Sequence, residues 1–511
     1  MSNFQEKVPL NTNAAIAPVN IKKFVISDRE GNAVDLTGSL TQFYFYESVL
    51  SNYVSATVEI VDSGYVLSAD GKLNAKPGGI MGNSQGNLYP VIGGGNRVDF
   101  DIEDNNYNNR VDIDGRGKSL NNLKMYEGMY VSRIRDVSTS SLKNYYAIDL
   151  VSREAFTNEL VRVSKRYDGK ISDSVKKIVK DVLRVEESLI EVEETALTHN
   201  FIGNDSKPFG VCTKLASKGV PLPVSNIPTI NRRAGFVFFQ TRLGMHFVSL
   251  ANRFFGEEDK KSRSKRKVNV VNTSEGRKYT FRVKNFVSTS AKSIDLDQGD
   301  NLILTYTVDT SLDTQKDLAL GSYNNRTIFF DFYSMDYKVR DFDIIADILD
   351  RNEVYKETFT TAVLEGKTIP QLRALPDRTL TYSPSRLMSH VLDIGTLPSG
   401  VTSEAELESW RNDPLNPTND APKNMVQSIM QYNNLFREKL NIVVSGDFSM
   451  VAGNIIYCVF EAVGGGGSSV GNEPEEDKNL TGNYMIANVC HRVTPTETYT
   501  SMDLVPVARL V

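Results

Sequence analysis

Apolar residues recur at every second position along much of this chain, and at every third or fourth position in only a few stretches. The pattern therefore predicts strands first. The clearest is Val54 to Val61, with Val54, Ala56, Val58 and Ile60 on one face and Ser55, Thr57 and Glu59 on the other. Phe24 to Ser27, Leu40 to Tyr46, Val98 to Ile102, Met129 to Val137 and Tyr145 to Val151 read as further strands. Phe236 to Gln240 and Met245 to Leu250 read as a hairpin around a turn at Thr241 to Gly244. Beyond it lie Tyr279 to Val287, Asn301 to Val308, Ile328 to Tyr337, Leu440 to Val444, Asn454 to Phe460, Tyr484 to Val493 and Tyr499 to Val505.

Helical spacing is confined to the middle. Val175, Ile178, Val179, Val182 and Leu183 share one helical face, with Ser172 as the expected cap. Pro208 to Lys218 predicts a short helix with Ser206 before it, Phe209, Cys212 and Ala216 on one side, and Gly219 as its stop. Ser403 and Glu406 form a capping box ahead of Leu407 and Trp410. Met425, Ile429, Tyr432 and Phe436 give one more face.

Four stretches lack periodicity: 68–96 and 104–122, rich in Gly and Asn, the charged 256–267, and 464–478. They read as long loops, which in compact domains usually carry contacts. The expected layout is an extended arm over 1–20, a first β-barrel over 21–160, a middle α+β region over 161–420 that the pattern leaves open to being discontinuous, and a second β-barrel over 421–511. The expected fold is mainly β with an α+β insert.

The two barrel candidates end alike. Tyr130-Val131-Ser132-Arg133-Ile134 leads through a turn to Tyr146-Ala147-Ile148-Asp149-Leu150-Val151. Tyr484-Met485-Ile486-Ala487-Asn488-Val489 leads likewise to Thr500-Ser501-Met502-Asp503-Leu504-Val505. Two antiparallel hairpins of generic strand composition would account for this likeness. The sharper reading is a duplicated small barrel at each end of the chain, and three copies of such a chain would present six quasi-equivalent units to their partners.

Composition changes this picture little. The 511 residues suffice to bury a core without staples. A net charge of -5 is mild for this length and argues neither for nor against a nucleic-acid partner. Cys212, Cys458 and Cys490 are too scattered for a disulfide framework and read as reduced thiols. No apolar run reaches the length of a membrane span, and the polar start, Met1 to Ala17, is unlike a signal peptide, so synthesis and folding in a cytoplasm are expected.

Candidate chemistry is sparse. His199, His246, His390 and His491 are far apart in sequence. Gly115-Arg116-Gly117-Lys118-Ser119 ends like a P-loop but has Asp112 where the first glycine belongs. Asp112-Ile113-Asp114-Gly115 begins like a calcium loop without its closing glutamate. Gly93-Gly94-Gly95 precedes a strand rather than a helix. The basic run Lys260, Lys261, Arg263, Lys265, Arg266 and Lys267 is flanked by Glu257, Glu258 and Asp259 and reads as a solvated loop. No catalytic, cofactor-binding or metal residue is singled out and no cofactor is expected.

Four stretches, taken in order, carry a resemblance. They are Phe43 to Gly64, ending Val61-Asp62-Ser63-Gly64; Tyr146 to Arg166, with Ala155-Phe156-Thr157-Asn158; Lys207 to Leu250, from Lys207-Pro208-Phe209 to His246-Phe247-Val248-Ser249-Leu250; and Leu440 to Val505, with Gly446, Gly453 and Gly482-Asn483-Tyr484-Met485-Ile486. The layout resembles the baseplate hub proteins of contractile-tailed phages, related to the late control proteins of temperate phages and the hub part of type VI secretion spike proteins. Each motif is short, and order and spacing carry the likeness. The four long loops depart from it. The resemblance implies a non-enzymatic homotrimeric ring in the tail baseplate of a virion. That ring would adapt a sixfold tail tube to a threefold central spike, touch surrounding baseplate proteins, and let DNA pass through its channel without specific binding or membrane insertion. A tail-associated glycan-binding adaptor and a cell-wall hydrolase are the alternatives that the residues leave open.

Overall fold

A strand with one apolar face is stable only when that face is covered and its backbone groups are paired. The computed structural model shows how this chain meets both demands. It describes residues 19–29, 33–62, 65–67, 73–75, 94–104, 122–139, 143–196, 199–221, 235–250, 280–282, 303–310, 319–321, 324–331, 335–343, 384–391, 428, 432, 438–460, 477 and 480–506.

The N-terminal part holds β1 (Asn20–Ser27), β2 (Ala33–Asp35), β3 (Leu40–Ser48), β4 (Ser55–Asp62), β5 (Tyr65–Leu67), β6 (Leu73–Ala75), β7 (Arg97–Glu103), β8 (Asn122–Leu123), β9 (Met129–Thr139) and β10 (Asn144–Ser152). The middle follows with α1 (Arg153–Leu160), β11 (Arg166–Tyr167), α2 (Ile171–Lys177), β12 (Ile190–Val192), β13 (Phe201–Ile202), α3 (Pro208–Ala216), β14 (Phe236–Thr241) and β15 (Gly244–Ser249). Then come β16 (Thr280–Arg282), β17 (Ile303–Thr310), β18 (Asn324–Asp331), β19 (Asp336–Asp343) and β20 (Leu387–Val391). The chain ends on β21 (Glu438–Ser445), β22 (Ile455–Val459), β23 (Gly482–Val493) and β24 (Thr498–Pro506).

Fourteen strands form one sheet, in the order β17-β21-β24-β23-β3-β4-β10-β9-β7-β1-β2, with β8 on β7, β22 on β23 and β16 on β22. The mainly-β reading holds, and α1 to α3 lie between the two ends as an insert. Barrel closure is corrected: among the described residues neither end closes on itself. The cause is β3, whose free side is taken by β23 from the far end of the chain, Asn488 opposite Ser48 through Val493 opposite Phe43.

The sheet contains one five-stranded unit twice: β3, β4, β10, β9 and β7, and again β17, β21, β24, β23 and β22. The registers match residue for residue up to Arg135 on β9 and Cys490 on β23, beyond which β9 carries one extra residue. A bulge falls between Leu40 and Gln42 against β4, and between Ile303 and Thr305 against β21. A second bulge skips Ser132 opposite Asp149-Leu150, and Ala487 opposite Asp503-Leu504. Gly95 donates its N–H to the Val131 carbonyl while Asn96 accepts from the Val131 N–H; Gly453 and Asn454 do the same with Ile486. Both glycines sit at positive φ, +82° and +86°. Asp149 is held by Thr57 and Arg135 from its two neighbouring strands, and Asp503 by Asn441 and Asn488 from its own.

Each unit covers its own core. Phe24, Phe43, Phe45, Val58, Phe100 and Ile148 lie in the first; Ile442, Val444, Ile456, Ile486, Met502 and Leu504 lie in the second. A third core joins α2, α3 and the β14–β15 hairpin. That hairpin is buried on both faces. Phe236, Phe238 and Phe247 face the helices, and Val237, Phe239 and Val248 face the second unit. Its sequence is therefore a nearly unbroken apolar run.

Three local expectations change. Ser172 lies inside α2, which is capped by Lys170; its N–H instead bonds the buried Thr195 hydroxyl, and the helix relaxes into a wider π turn over Ile178–Val182. Lys207, not Ser206, precedes α3, because Ser206 forms a bridge with Val163. Ile328 to Tyr337 is not one strand: β18 and β19 make a hairpin through it, with Met335 at φ +54°. The arm over 1–18, the 403–410 helix and most of 68–93, 105–121, 251–279 and 461–479 fall outside the described residues; of the last predicted helix, Ser428 and Tyr432 are described and are helical.

The two equivalent glycines make a paired prediction. A Cβ on Gly453 would lie 3.0 Å from the Phe239 ring, whereas one on Gly95 meets nothing within 4 Å. Both alanine variants carry the strain of a positive φ, about 1 kcal/mol. Gly453→Ala should cost more, by the displacement of Phe239. Denaturant unfolding of the two variants checks this, and equal losses would contradict it.

Candidate functional site

Among the described residues, both units and the insert meet at the tip of the β14–β15 hairpin. Its turn must present polar backbone to a buried junction, so each group needs a partner. Arg242, almost fully buried, supplies three contacts. Its N–H donates to Glu47 Oε1 of β3 at 2.6 Å. Its guanidinium donates to the Asn122 carbonyl of β8 at 2.8 Å, and to the Phe448 carbonyl in the loop after β21. Glu47 also accepts from the Ala452 N–H at 3.2 Å, and Asp104 accepts from the Phe448 N–H at 2.8 Å. Burial pushes the Glu47 carboxyl up, and the Arg242 charge opposes that push.

Gln240 is the second anchor. Its carbonyl oxygen accepts from the Val54 N–H and the Ser152 hydroxyl, at 3.2 and 2.6 Å. Its amide donates to Tyr126 and to Glu154, at 2.5 and 2.7 Å. All four lone-pair and N–H sites of this buried side chain are used, which fixes the insert against the first unit. Glu154 is in turn paired with Arg153, which reaches Glu127 at 2.5 Å.

His491 lies beneath the junction on β23. It is fully buried, stacked on Phe45 across the β3–β23 seam, and in hydrogen-bond contact with Thr500 and the Met450 carbonyl. Burial first, and then the nearby Arg242 charge, lower its pKa to about 3, so it is neutral at pH 7.

The remaining histidines are dispersed. His199 stacks on Phe201, and His390 lies on β20. His246 forms the nearest approach to a catalytic relay, with Thr241 Oγ1 on one ring nitrogen and Glu191 Oε2 on the other, each at 2.7 Å. The order matches a nucleophile, a base and an orienting acid. Yet Thr241 is 0% exposed and its hydroxyl also accepts from the Leu243 N–H, so no substrate carbonyl reaches it. The trio pins β12 to the hairpin.

The cysteines are free thiols; Cys212 and Cys458 are buried, which raises both, and Cys490 is pushed up to about 11. Among the described residues no cluster of His, Cys, Asp or Glu is placed to hold a metal, and no helix is long and apolar enough to cross a membrane. Gly94 and Gly95 form a turn. The P-loop-like and calcium-loop-like segments and the basic run lie outside the described residues. Sequence reasoning singled out none of Glu47, Asp104, Gln240 or Arg242. The available signal was polar residues interrupting strand-like apolar runs, at Glu47 after Tyr46 and at Gln240 to Arg242 between two Phe-rich segments.

No protein-family model and no curated protein sequence matches this chain. Solved structures do. The chain is similar to the 43 kDa tail protein of prophage MuSo2 from Shewanella oneidensis, at 9% identity and a TM-score of 0.43, covering 95% of this chain and 98% of that one. It is similar to a tail protein from Neisseria meningitidis MC58, at 8% identity and a TM-score of 0.46, covering 96% of each. It is also similar to an E. coli component of the type VI secretion system, at 9% identity and a TM-score of 0.35, covering 96% of this chain and 76% of that one.

Two predictions follow the junction. Arg242→Met keeps the backbone N–H on Glu47 but removes the charge beside its carboxyl and strands the Asn122 and Phe448 carbonyls, and should cost about 1–3 kcal/mol for each stranded acceptor. Adding Glu47→Gln should recover part of that loss in a double-mutant cycle of denaturant unfolding. His491 should make the fold acid-sensitive. Its folded pKa of about 3 lies below the unfolded value of about 6.5, so between them the unfolded chain binds the extra proton. Stability is fully present above that window and falls through it by at most about 1.4 kcal/mol per pH unit. Glu47 acts with the opposite sign, gaining its proton more readily when folded. The stability difference between wild type and His491→Gln, taken at pH 7, 6 and 5, isolates the histidine. A difference that stays constant with pH would contradict the assignment.

Proposed function

We propose that this chain is the structural hub of a phage tail baseplate. Three copies form a ring that joins a sixfold tail tube to a threefold central spike, contacts the surrounding baseplate proteins, and leaves a channel through which DNA passes. The role is mechanical rather than catalytic, and its place is the tail of the virion.

One observation carries this reading: the same five-stranded unit occurs twice, side by side in one sheet. Two equivalent units per chain suit a symmetry adaptor, because three chains would present six like surfaces on one side while remaining threefold as molecules. The insert gives each chain a feature that is not duplicated, which is what a threefold partner requires. The sequence resemblance supplies the identity of the partners, and the buried Arg242 and Gln240 junction supplies stiffness between units and insert. The four stretches that carry the resemblance map onto this framework: β3 with β4, β10 with α1, α3 with the β14–β15 hairpin, and β21 through β24.

Solution mass by light scattering over a concentration series tests the ring. Three chains of 56.9 kDa give about 171 kDa, which should be the limiting mass at high concentration. A chain that stays at its monomer mass at every concentration overturns the proposal.

A further inference from the structure

Both units carry the same outer face, and only the second has it covered. In the second unit one row crosses three strands: Ile455 on β22 stands opposite Met485 on β23, and Met485 opposite Val505 on β24. These three, with Ala452 and Ala487 beside them, are at most 5% exposed. The β14–β15 hairpin is what covers them, since Val237, Phe239 and Val248 lie in one core with all five. The Phe239 ring comes so close to Gly453 that a Cβ there would lie 3.0 Å from it.

The equivalent row in the first unit is Arg97 on β7, Tyr130 on β9 and Val151 on β10, in the same register. Gly94 and Ser132 take the places of Ala452 and Ala487. Here Gly94, Arg97 and Ser132 are exposed, and Gly95, Tyr130 and Val151 are only partly buried. Among the described residues nothing lies within 4 Å of a Cβ on Gly95. Helix α1 borders the face, with Phe156 edge-on to Tyr130 at 6.3 Å. Leu160, one helical turn further on, is 82% exposed.

We propose that this open face of the first unit is a docking socket for a partner protein other than this chain. The partner inserts an aromatic side chain, carried on an apolar hairpin or loop, beside Gly95, as Phe239 is inserted beside Gly453. The socket stands on the duplication alone. Its threefold repetition around the assembly rests on the ring reading above, which it deepens by naming a contact surface.

The covered face supplies the chemistry of the occupant. The same three-strand framework is closed there by an aromatic residue on a hairpin, and both copies keep a glycine at positive φ, whose missing side chain leaves space for an incoming ring. Tyr130, Val151, Phe156 and Leu160 give the open face an apolar centre, and Ser132 and the Asp99-bound Arg97 give it a polar rim, the layout of a protein interface. Arg97 in place of Ile455, and Ser132 in place of Ala487, suit a face that meets water until its partner arrives. A second copy does not supply the occupant. Among the described residues each chain has one hairpin of this kind, and Gln240 and Arg242 hold it in its own chain.

Thiol labelling and tethering test the socket. Ser132→Cys and, six residues along β9, the control Ser138→Cys are each placed in a Cys490→Ser background. In the purified chain both thiols should react with a maleimide at similar rates. In purified tails carrying the Ser132→Cys chain, the thiol at 132 should be protected. On the purified chain, a phenethyl disulfide at 132 should withstand about tenfold more reductant than a hydroxyethyl disulfide, the gain from burying an aromatic ring. Slow labelling at 132 in the purified chain, with fast labelling at 138, means that the chain or a second copy already covers the face, and overturns the proposal. Equal labelling at 132 in chain and tail overturns the partner, and equal release of the two caps overturns the aromatic socket. Light scattering on the same chain separates the readings: a monomer overturns the ring, while the two caps still decide the socket.

Discussion

The architecture depends on one backbone ladder, β23 against β3. It joins strands more than four hundred residues apart in sequence, and it converts two small curled sheets into one. Each unit on its own would have an open edge and an incompletely covered strand. Pairing the two edges satisfies the backbone of both strands at once. It also brings His491 over Phe45 and Val493 into the first unit's core. Because the partners are copies of one design, the ladder is repeatable, which is the property a ring needs.

The insert makes this ladder rigid. A bare two-strand seam can twist, since strands slide and rotate about their hydrogen bonds more readily than cores deform. Here the β14–β15 hairpin is wedged into the junction with both faces buried, and its tip is tied by Gln240 to the first unit and by Arg242 to both units. Buried polar groups of this kind are costly when unpaired and position-specific when paired. The junction thus accepts one mutual orientation of units and insert. A scaffold of the proposed kind gains from such a constraint.

Much of this was legible in the sequence. Alternation placed β4, β7, β10 and β24 within a residue or two, because each has one covered and one open face. The Asp-Leu-Val endings of β10 and β24 exposed the duplication, since the aspartate is held by polar groups from both flanking strands and the leucine after it is core in both. The strand at Ile328 to Tyr337 misled because an aromatic run carries no signal for its own turn, and Met335 adopts positive φ without a glycine to announce it. The site was hardly legible. Glu47, Asp104 and Arg242 become a cluster only through contacts 195 and 344 residues apart in sequence. The Gly-Asn pairs at 95–96 and 453–454 were a usable clue to the duplication, being the same turn before the same strand. Closure into separate barrels was the inference that failed, because strand composition does not say which chain end supplies a neighbour.

End-on class averages of the purified assembly by electron microscopy address the central claim most directly. The account predicts a threefold particle with six similar lobes around an open centre, two lobes from each chain. A particle with twofold symmetry, or three lobes with no further subdivision, would contradict it.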